Sequence, residues 1–384
     1  MQRYVPILSS GKARHCLAWG IFVWLLAACA ALPSTELRDI GGEIQARYEE
    51  RLSTLSPGKQ RHYAQRLYRI TGNDKYVPAN VDYAARLALE LQRDMAGLAV
   101  EGYPMARSRA IVEAYPSRTE KQRRRKVLLA RWGEIPFARQ LLFRLAQAND
   151  YRLLGTSPFA GHERALDYLA GVDFRRFLLD PDVLDVYAAQ VANAVYYLHD
   201  LGITDLRDAF ATAMRTRYPA QQDDALSNAV FRNKIYGLTH LVIAASGYYQ
   251  HSVNAEEVEW VLDYFSANID PIIARTKADI FTEVGISFEL AGRGDDPAVA
   301  RIKQALLERY DPQARMIPAE DGGTELEFGE HRNVLAIMLF RWPDRLHSGP
   351  DLSGHALFRP WPTPQVTGHD KDQHRQKVAA LGSD

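Results

Sequence analysis

The chain has 384 residues, and its 47 lysines and arginines equal its 47 aspartates and glutamates, so the formal net charge is zero. That balance gives no argument for nucleic acid as a partner. There are two cysteines, Cys16 and Cys29, both close to the N-terminus; disulfides, thiol catalysis and cysteine-ligated zinc are therefore excluded from everything that follows them.

The first 28 residues read as a targeting segment, set aside before any fold reasoning. Arg3, Lys12 and Arg14 supply positive charge, and LAWGIFVWLLAA (Leu17–Ala28) is an apolar run too short to span a bilayer comfortably. It ends in Leu26-Ala27-Ala28-Cys29. That quartet resembles a bacterial lipoprotein signal, which implies that Cys29 is lipidated and becomes the first mature residue; the alternative is a plain secretory peptide or a short anchor. Ala30 after the cysteine implies, by the same resemblance, the periplasmic face of the outer membrane. The mature chain of about 355 residues can bury one large core or two modest ones.

Helical signals then follow one another. LRDIGGEIQARYEERLSTL is expected to be a helix. RHYAQRLYRITGNDKYVPANVDYAARLALELQRDMAG places Tyr63, Leu67 and Ile70 at helical spacing, breaks at a Gly-Asn-Asp turn and resumes as a second amphipathic helix, a hairpin. Ser117 with Glu120 fits a capping box before KVLLARWGEIPFARQLLFRLAQ. The basic run Arg123–Lys126 reads as a solvated helix face rather than a nucleic-acid or lipid patch, because no stacking aromatics alternate with its charges.

From residue 186 the hairpins become regular. DVYAAQVANAVYYLHDLG precedes TDLRDAFATAMRTRY, KIYGLTHLVIAASGYY precedes NAEEVEWVLDYFSANIDPII, and TEVGISFELAG precedes DPAVARIKQALLERY. Gly202, Gly247 and Gly292 close the first helix of each pair at a constant interval, a repeat period of the size used by stacked or ring-closed helix pairs. Thr204, Asn254 and Asp296 stand where the following helices need N-caps. Strand signals are sparse. The expected fold is all-α, an α/α toroid of about five to six hairpins over 29–345, with 346–384 an irregular tail whose first half drapes over the domain and whose end is disordered.

In such a ring, polar side chains on otherwise apolar inner helices are informative, since burying an unpaired polar group is costly. Aligning the apolar continuations of Thr239-His240, Thr282-Glu283 and Glu330-His331 puts His240, Glu283 and His331 at one equivalent position. A second register, set by the glycines, pairs Gly285 with His240 instead, turns Glu283 away and puts Glu289 and His199 on one face. Two histidines and a glutamate suit a divalent metal such as zinc with an open position. They equally suit metal-free acid–base work, with Glu283 as a carboxyl of raised pKa. The bland reading of His240 is a hydrogen-bonded core residue, and that of Glu330 a helix-start carboxylate favoured by the macrodipole.

Tyr236, one turn before His240, and Arg332 and Asn333, beside His331, complete the candidate set. Tyr, His, Asn and Arg together resemble the set of toroid-fold polysaccharide lyases, which implies proton abstraction next to a uronate carboxylate. FRNKIYGLTHLVIAASGYYQ, TEVGISFELAG and GEHRNVLAIM resemble a bacterial family of domains of unknown function over roughly residues 180–345; that resemblance implies a fold and a polar site but no reaction. The expected function is thus an envelope enzyme acting on a glycan, as lyase or hydrolase. The alternatives are a lipid-anchored binding or scaffold protein, and a metal-dependent enzyme of another substrate class, peptide modification included.

Overall fold

The computed structural model describes residues 34–359; the signal segment, Cys29 and the end of the tail lie outside them. Within that span the chain is all-α, with a lone bridge between Asp311 and Met316 as its sole β-type pairing. The N-terminal half contains α1 (Ser34–Glu49), α2 (Pro57–Thr71), α3 (Val77–Gly97), α4 (Tyr103–Glu113), α5 (Glu120–Leu129), α6 (Ile135–Asp150), α7 (His162–Ala170) and α8 (Phe174–Leu178). The C-terminal half contains α9 (Pro181–Asp200), α10 (Arg207–Arg217), α11 (Asn228–Ala245), α12 (Ala255–Ala267), α13 (Ile269–Arg275), α14 (Ala278–Leu290), α15 (Pro297–Leu307) and α16 (Leu326–Phe340).

Six of these helices form a closed circuit of neighbours. α2 packs on α16, α16 on α14, α14 on α11, α11 on α9 and α9 on α6. Side chains along α2 and at the C-terminal end of α6 complete it: Arg61 with Gln147, Gln65 with Tyr151, and Arg69 with Asp150. α1, α3, α10 and α15 lie against α16, α2, α9 and α14 respectively. The arrangement is compatible with the expected α/α toroid.

The sequence explains why the circuit helices are the inner ones. α11 and α14 are apolar nearly all round, and a helix of that kind must be covered on every side: Ile235, Val242 and Ile243 of α11, and Phe281, Val284, Ile286 and Phe288 of α14, are fully buried. Gly202, Gly247 and Gly292 all follow the ends of such helices in the left-handed region (φ 67°, 59° and 69°), where a side chain would be strained. Asn254 and Asp296 cap α12 and α15 as expected. Thr204 does not cap α10; Asp205 accepts from the Arg207 amide instead. The capping box of α5 is Thr119 with Gln122, two residues beyond the Ser117–Glu120 pair.

At the C-terminal ends of the circuit helices stands Arg69, 1% exposed. Its Nε donates to the Gly349 carbonyl (3.1 Å), Nη1 to the carbonyls of Tyr248 (2.7 Å) and Gly247 (3.3 Å), and Nη2 to Asp150 (3.4 Å). One side chain thereby joins α2, α6, the turn after α11 and the segment after α16. That segment continues over the domain, burying Leu352 and Phe358, with the Leu352 amide donating to the Tyr151 carbonyl.

α9 and α10 crowd α11 at Gly237, where an added Cβ would sit 2.6 Å from Ala188 Cβ and 2.9 Å from Met214 Cε. Replacing Gly237 with alanine is expected to cost about 1–3 kcal/mol by overpacking. Urea unfolding of the variant checks this; an unchanged midpoint would contradict the close approach.

Candidate functional site

Glu283 is the centre of the site. It stands mid-helix on α14, 1% exposed, and its Oε2 accepts the Thr239 hydroxyl of α11 at 2.8 Å. His240, the next residue on α11, points its Nε2 at the same oxygen from 3.7 Å. His331 of α16 points its Nε2 at Oε1 from 3.6 Å. Both distances are too long for hydrogen bonds, and neither Nε2 has any other partner. Two imidazole nitrogens are thus aimed at a buried carboxyl from opposite neighbouring helices, each left unsatisfied.

Burial sets the protonation states. It pushes the Glu283 carboxyl up to about 8, against the opposing influence of the Thr239 hydroxyl, while Asp279 pushes the same way. Burial pushes His240 down to about 3 and His331 well below the usual histidine range, with Arg66 adding to both. At neutral pH the centre is therefore a protonated acid between two neutral imidazoles. The His240 tautomer is fixed from behind: Nδ1 lies 2.8 Å from the Asn193 amide oxygen of α9, which can only accept. Nδ1 must carry the proton, and the Nε2 lone pair faces Glu283.

His331 leads on to a second cluster. Its ring lies 5.0 Å from that of His62 on α2, whose Nδ1 is 2.6 Å from Oε1 of the fully buried Glu330. Lys59 reaches Oε2 of the same carboxyl at 3.2 Å. Glu330 is thus neither a helix cap nor exposed; it is the shared partner of a lysine and a histidine from α2.

A cavity of about 600 Å³ lies one helical turn from the centre, lined by Gln190 of α9, Tyr236 of α11 and Asp279 of α14, with Lys121, Arg124 and Arg125 of α5 around it; Glu283, His240 and His331 do not line it. Gln190, Tyr236 and Asp279 precede Asn193, His240 and Glu283 by three or four residues on their helices. They therefore occupy the same faces one turn, about 5.4 Å, nearer the N-terminal ends. The Tyr236 ring, edge-on to His240 at 4.5 Å, is the partition between cavity and centre. The basic run of α5 is largely engaged: Arg123 with Glu120, Arg125 with the Val186 carbonyl and Gln190, Lys126 with the Glu113 carbonyl.

Of the residues singled out from sequence, His240, Glu283, His331 and Tyr236 come together, as the first of the two registers requires. In the second register's terms, Gly285 faces Leu339 and Ile302, Glu289 pairs with Lys303 and His199 with Asp200, away from the centre. Asn333 is taken up by structural hydrogen bonds, and so is one donor of Arg332, whose charge is also felt at Asp279 in the cavity wall. Asn333 is fully buried, accepts the Ile317 amide and donates to the carbonyls of Ile317 and Gly329; Arg332 Nε donates to the Ile317 carbonyl. Both hold the 308–325 loop onto α16. The ligand-set expectation for His240, Glu283 and His331 is corrected: among the described residues no group of three or more His, Cys, Asp or Glu is disposed to hold a metal ion. Each histidine addresses a different oxygen, and Thr239 already occupies one of them, so the three are strung along the carboxyl rather than gathered about a point. The aromatic pairs mostly pack on one another, with Tyr248 stacked on Tyr197 and edge-on to His240.

His62, Asn193, Thr239 and Arg66 were not anticipated. The only signal for the first lies in RHYAQRLYR, where a histidine shares the face of Arg66 and Arg69 on a helix otherwise readable as solvated.

A family model described as Domain of unknown function (DUF3541) matches residues 39–364. The match reaches well beyond the 180–345 stretch that carried the sequence resemblance. No curated protein and no solved structure matches the chain. No helix among the described residues is long and apolar enough to cross a membrane.

A carboxyl whose pKa is raised on folding binds its proton more tightly when folded. Its contribution to stability is complete below the ordinary value of 4.5 and is lost as pH rises through about 8. Glu283→Gln, which removes the titration, should gain stability over the wild type progressively between those limits, by a few kcal/mol at pH 9, and no further above. Melting temperatures across pH check this; a difference independent of pH would mean an ionised Glu283.

Proposed function

The chain belongs to this family of unknown function, and within it we propose that the Glu283 centre is an acid–base active site for an anionic glycan. The observation that carries the reading is the juxtaposition of a buried proton donor with two imidazole nitrogens that nothing in the protein satisfies, the lone pair of His240 Nε2 among them. Active sites are where such opposed titrations are arranged.

Elimination fits the residues better than hydrolysis. Hydrolysis conventionally uses two carboxyl groups flanking the scissile bond. Here Glu289 is engaged by Lys303 elsewhere and Glu330 is bound by Lys59 and His62. In a β-elimination, His240 Nε2 takes the proton on the carbon next to the uronate carboxylate, a carbon–carbon double bond forms, and the glycosidic oxygen leaves with the Glu283 proton. Asn193 holds the base in the required tautomer. The depressed basicity of His240 is partly due to Arg66; an anionic substrate beside it offsets that charge and restores basicity. Lys121, Arg124 and Arg125 at the cavity suit a polyanion.

Two outcomes follow. Incubation with uronate polysaccharides should yield chain ends that absorb in the ultraviolet, with a rate that declines as pH rises through about 8, where Glu283 loses its proton. His240→Ala and Glu283→Gln should each lower the rate by roughly 100-fold or more with the fold intact by circular dichroism; wild-type turnover by both variants would rule the site out.

For its address, we propose that the protein is anchored to the bacterial envelope through lipid on Cys29, the reading supported by Leu26-Ala27-Ala28-Cys29. Cys29→Ser should move the protein from the membrane to the soluble envelope fraction and abolish incorporation of labelled fatty acid; retention with label would contradict the assignment.

A further inference from the structure

Arg66 is a buried arginine without an acid. It is 6% exposed, projects from α2 into the middle of the circuit, and is in no ion pair among the described residues. Its one hydrogen bond is a long one, 3.4 Å from Nη1 to the carbonyl of His62 in its own helix, and Nε has no partner. A charged guanidinium removed from water is costly unless paired. Of the other arginines, Arg69 (1% exposed) has Asp150 and Arg144 (7% exposed) has Asp94 and Glu90, while the less covered Arg139 lies over the Phe177 and Tyr187 rings instead.

The acids near Arg66 do not serve. Its charge is felt at Glu283 and Glu330. Yet Glu283 holds its proton at neutral pH and accepts the Thr239 hydroxyl on Oε2, and Glu330 is taken by His62 and Lys59. Beside the guanidinium, which lies 5.5 Å from its ring centroid, stands Tyr249, 1% exposed, whose hydroxyl leans on Arg66 in a contact short of a well-formed hydrogen bond. Tyr249 is held there by a turn in which Gly247, Tyr248 and Tyr249 all have positive φ (59°, 58° and 75°). Non-glycine residues rarely take that conformation, and it clusters at ligand sites. Two unsatisfied polar groups on different elements, a guanidinium Nε–H and a phenol, thus stand together next to the acid–base centre.

We infer that Arg66 and Tyr249 form the subsite for a carboxylate of the substrate, a uronate in the reading above on which this assignment rests. The carboxylate takes the place of the missing acid partner of Arg66 and accepts from the Tyr249 hydroxyl. Its charge also offsets the influence of Arg66 on His240, so binding itself prepares the base. The carboxylate is then neutralised from α2 and from the turn after α11.

The test is calorimetric binding of a panel of uronate trisaccharides, each beside its carboxyl-reduced counterpart. The wild type should bind at least one uronate form more tightly than the reduced form. Arg66→Gln should weaken that binding by roughly tenfold or more and abolish the preference, and Tyr249→Phe should weaken it by roughly fivefold. Should Arg66→Gln fail to give a native circular dichroism spectrum, Arg66→Lys and Tyr249→Phe decide, the lysine keeping charge but losing the fork. Glu283→Gln should keep the preference while losing turnover. Absence of any preference in the wild type, or its survival in the folded Arg66 and Tyr249 variants, overturns the subsite. Turnover surviving Glu283→Gln, with the preference intact, overturns the acid–base reading and leaves the subsite standing.

Discussion

α2, the end of α6, the turn after α11 and the segment after α16 are held together by how Arg69 distributes its donors. Burial lowers the pKa of its guanidinium and raises that of Asp150, so each partner needs the other to remain charged in the interior. The remaining donors go to backbone carbonyls of the turn after α11 and of the segment after α16. A lysine could not satisfy four acceptors spread over a plane; the fixed fork of arginine can. Because the Gly247–Tyr249 turn is itself in an unfavourable conformation, it needs an external restraint, and the two carbonyl contacts of Arg69 supply one. Tyr248 and Tyr249, the walls of the site on that side, are placed by it.

The same helix, α2, carries Arg61, His62, Arg66 and Arg69, and this explains why its contribution was not legible in the sequence. PGKQRHYAQRLYRIT is polar on average, and by composition its charges belong on a solvated face. In the fold Gln65, Arg66 and Arg69 are buried, because five other circuit helices surround them with acceptors and carboxyl groups from distant parts of the chain. No local pattern records that. α11 and α14 behave oppositely. An ionisable residue in the middle of an apolar run has few places to go except an interior site, which is what makes His240 and Glu283 stand out in the sequence. The repeat outline then indicated that they share a level with His331.

Arg332 and Asn333 show the limit of reasoning by adjacency. Consecutive helix residues point about 100° apart. If His331 faces Glu283, its neighbours face elsewhere, and in α16 they face the loop of residues 308–325. Tyr236 succeeded for the complementary reason: four residues from His240, it shares a face. Thr239 illustrates a third case. It neighbours His240, yet both reach Glu283, because α14 packs closely enough against α11 for one carboxyl to receive two successive side chains. The fold class was legible from periodicity and the glycine interval. Closure of the circuit was not, since α2 bears no resemblance to the helices it meets.

Closure has a kinetic side as well. His62 and its partner Glu330 are 268 residues apart in the chain, and α16 packs on both α1 and α2. The first inner helix to be synthesised therefore waits for the last, and the entropy of joining so distant segments must be met before their contact contributes. An open stack of hairpins could fold progressively from one end and tolerate gain or loss of a unit. A closed circuit cannot. The Glu283 cluster draws on α11, α14 and α16, with His62 of α2 beyond His331, so it is incomplete until nearly all of the chain is present.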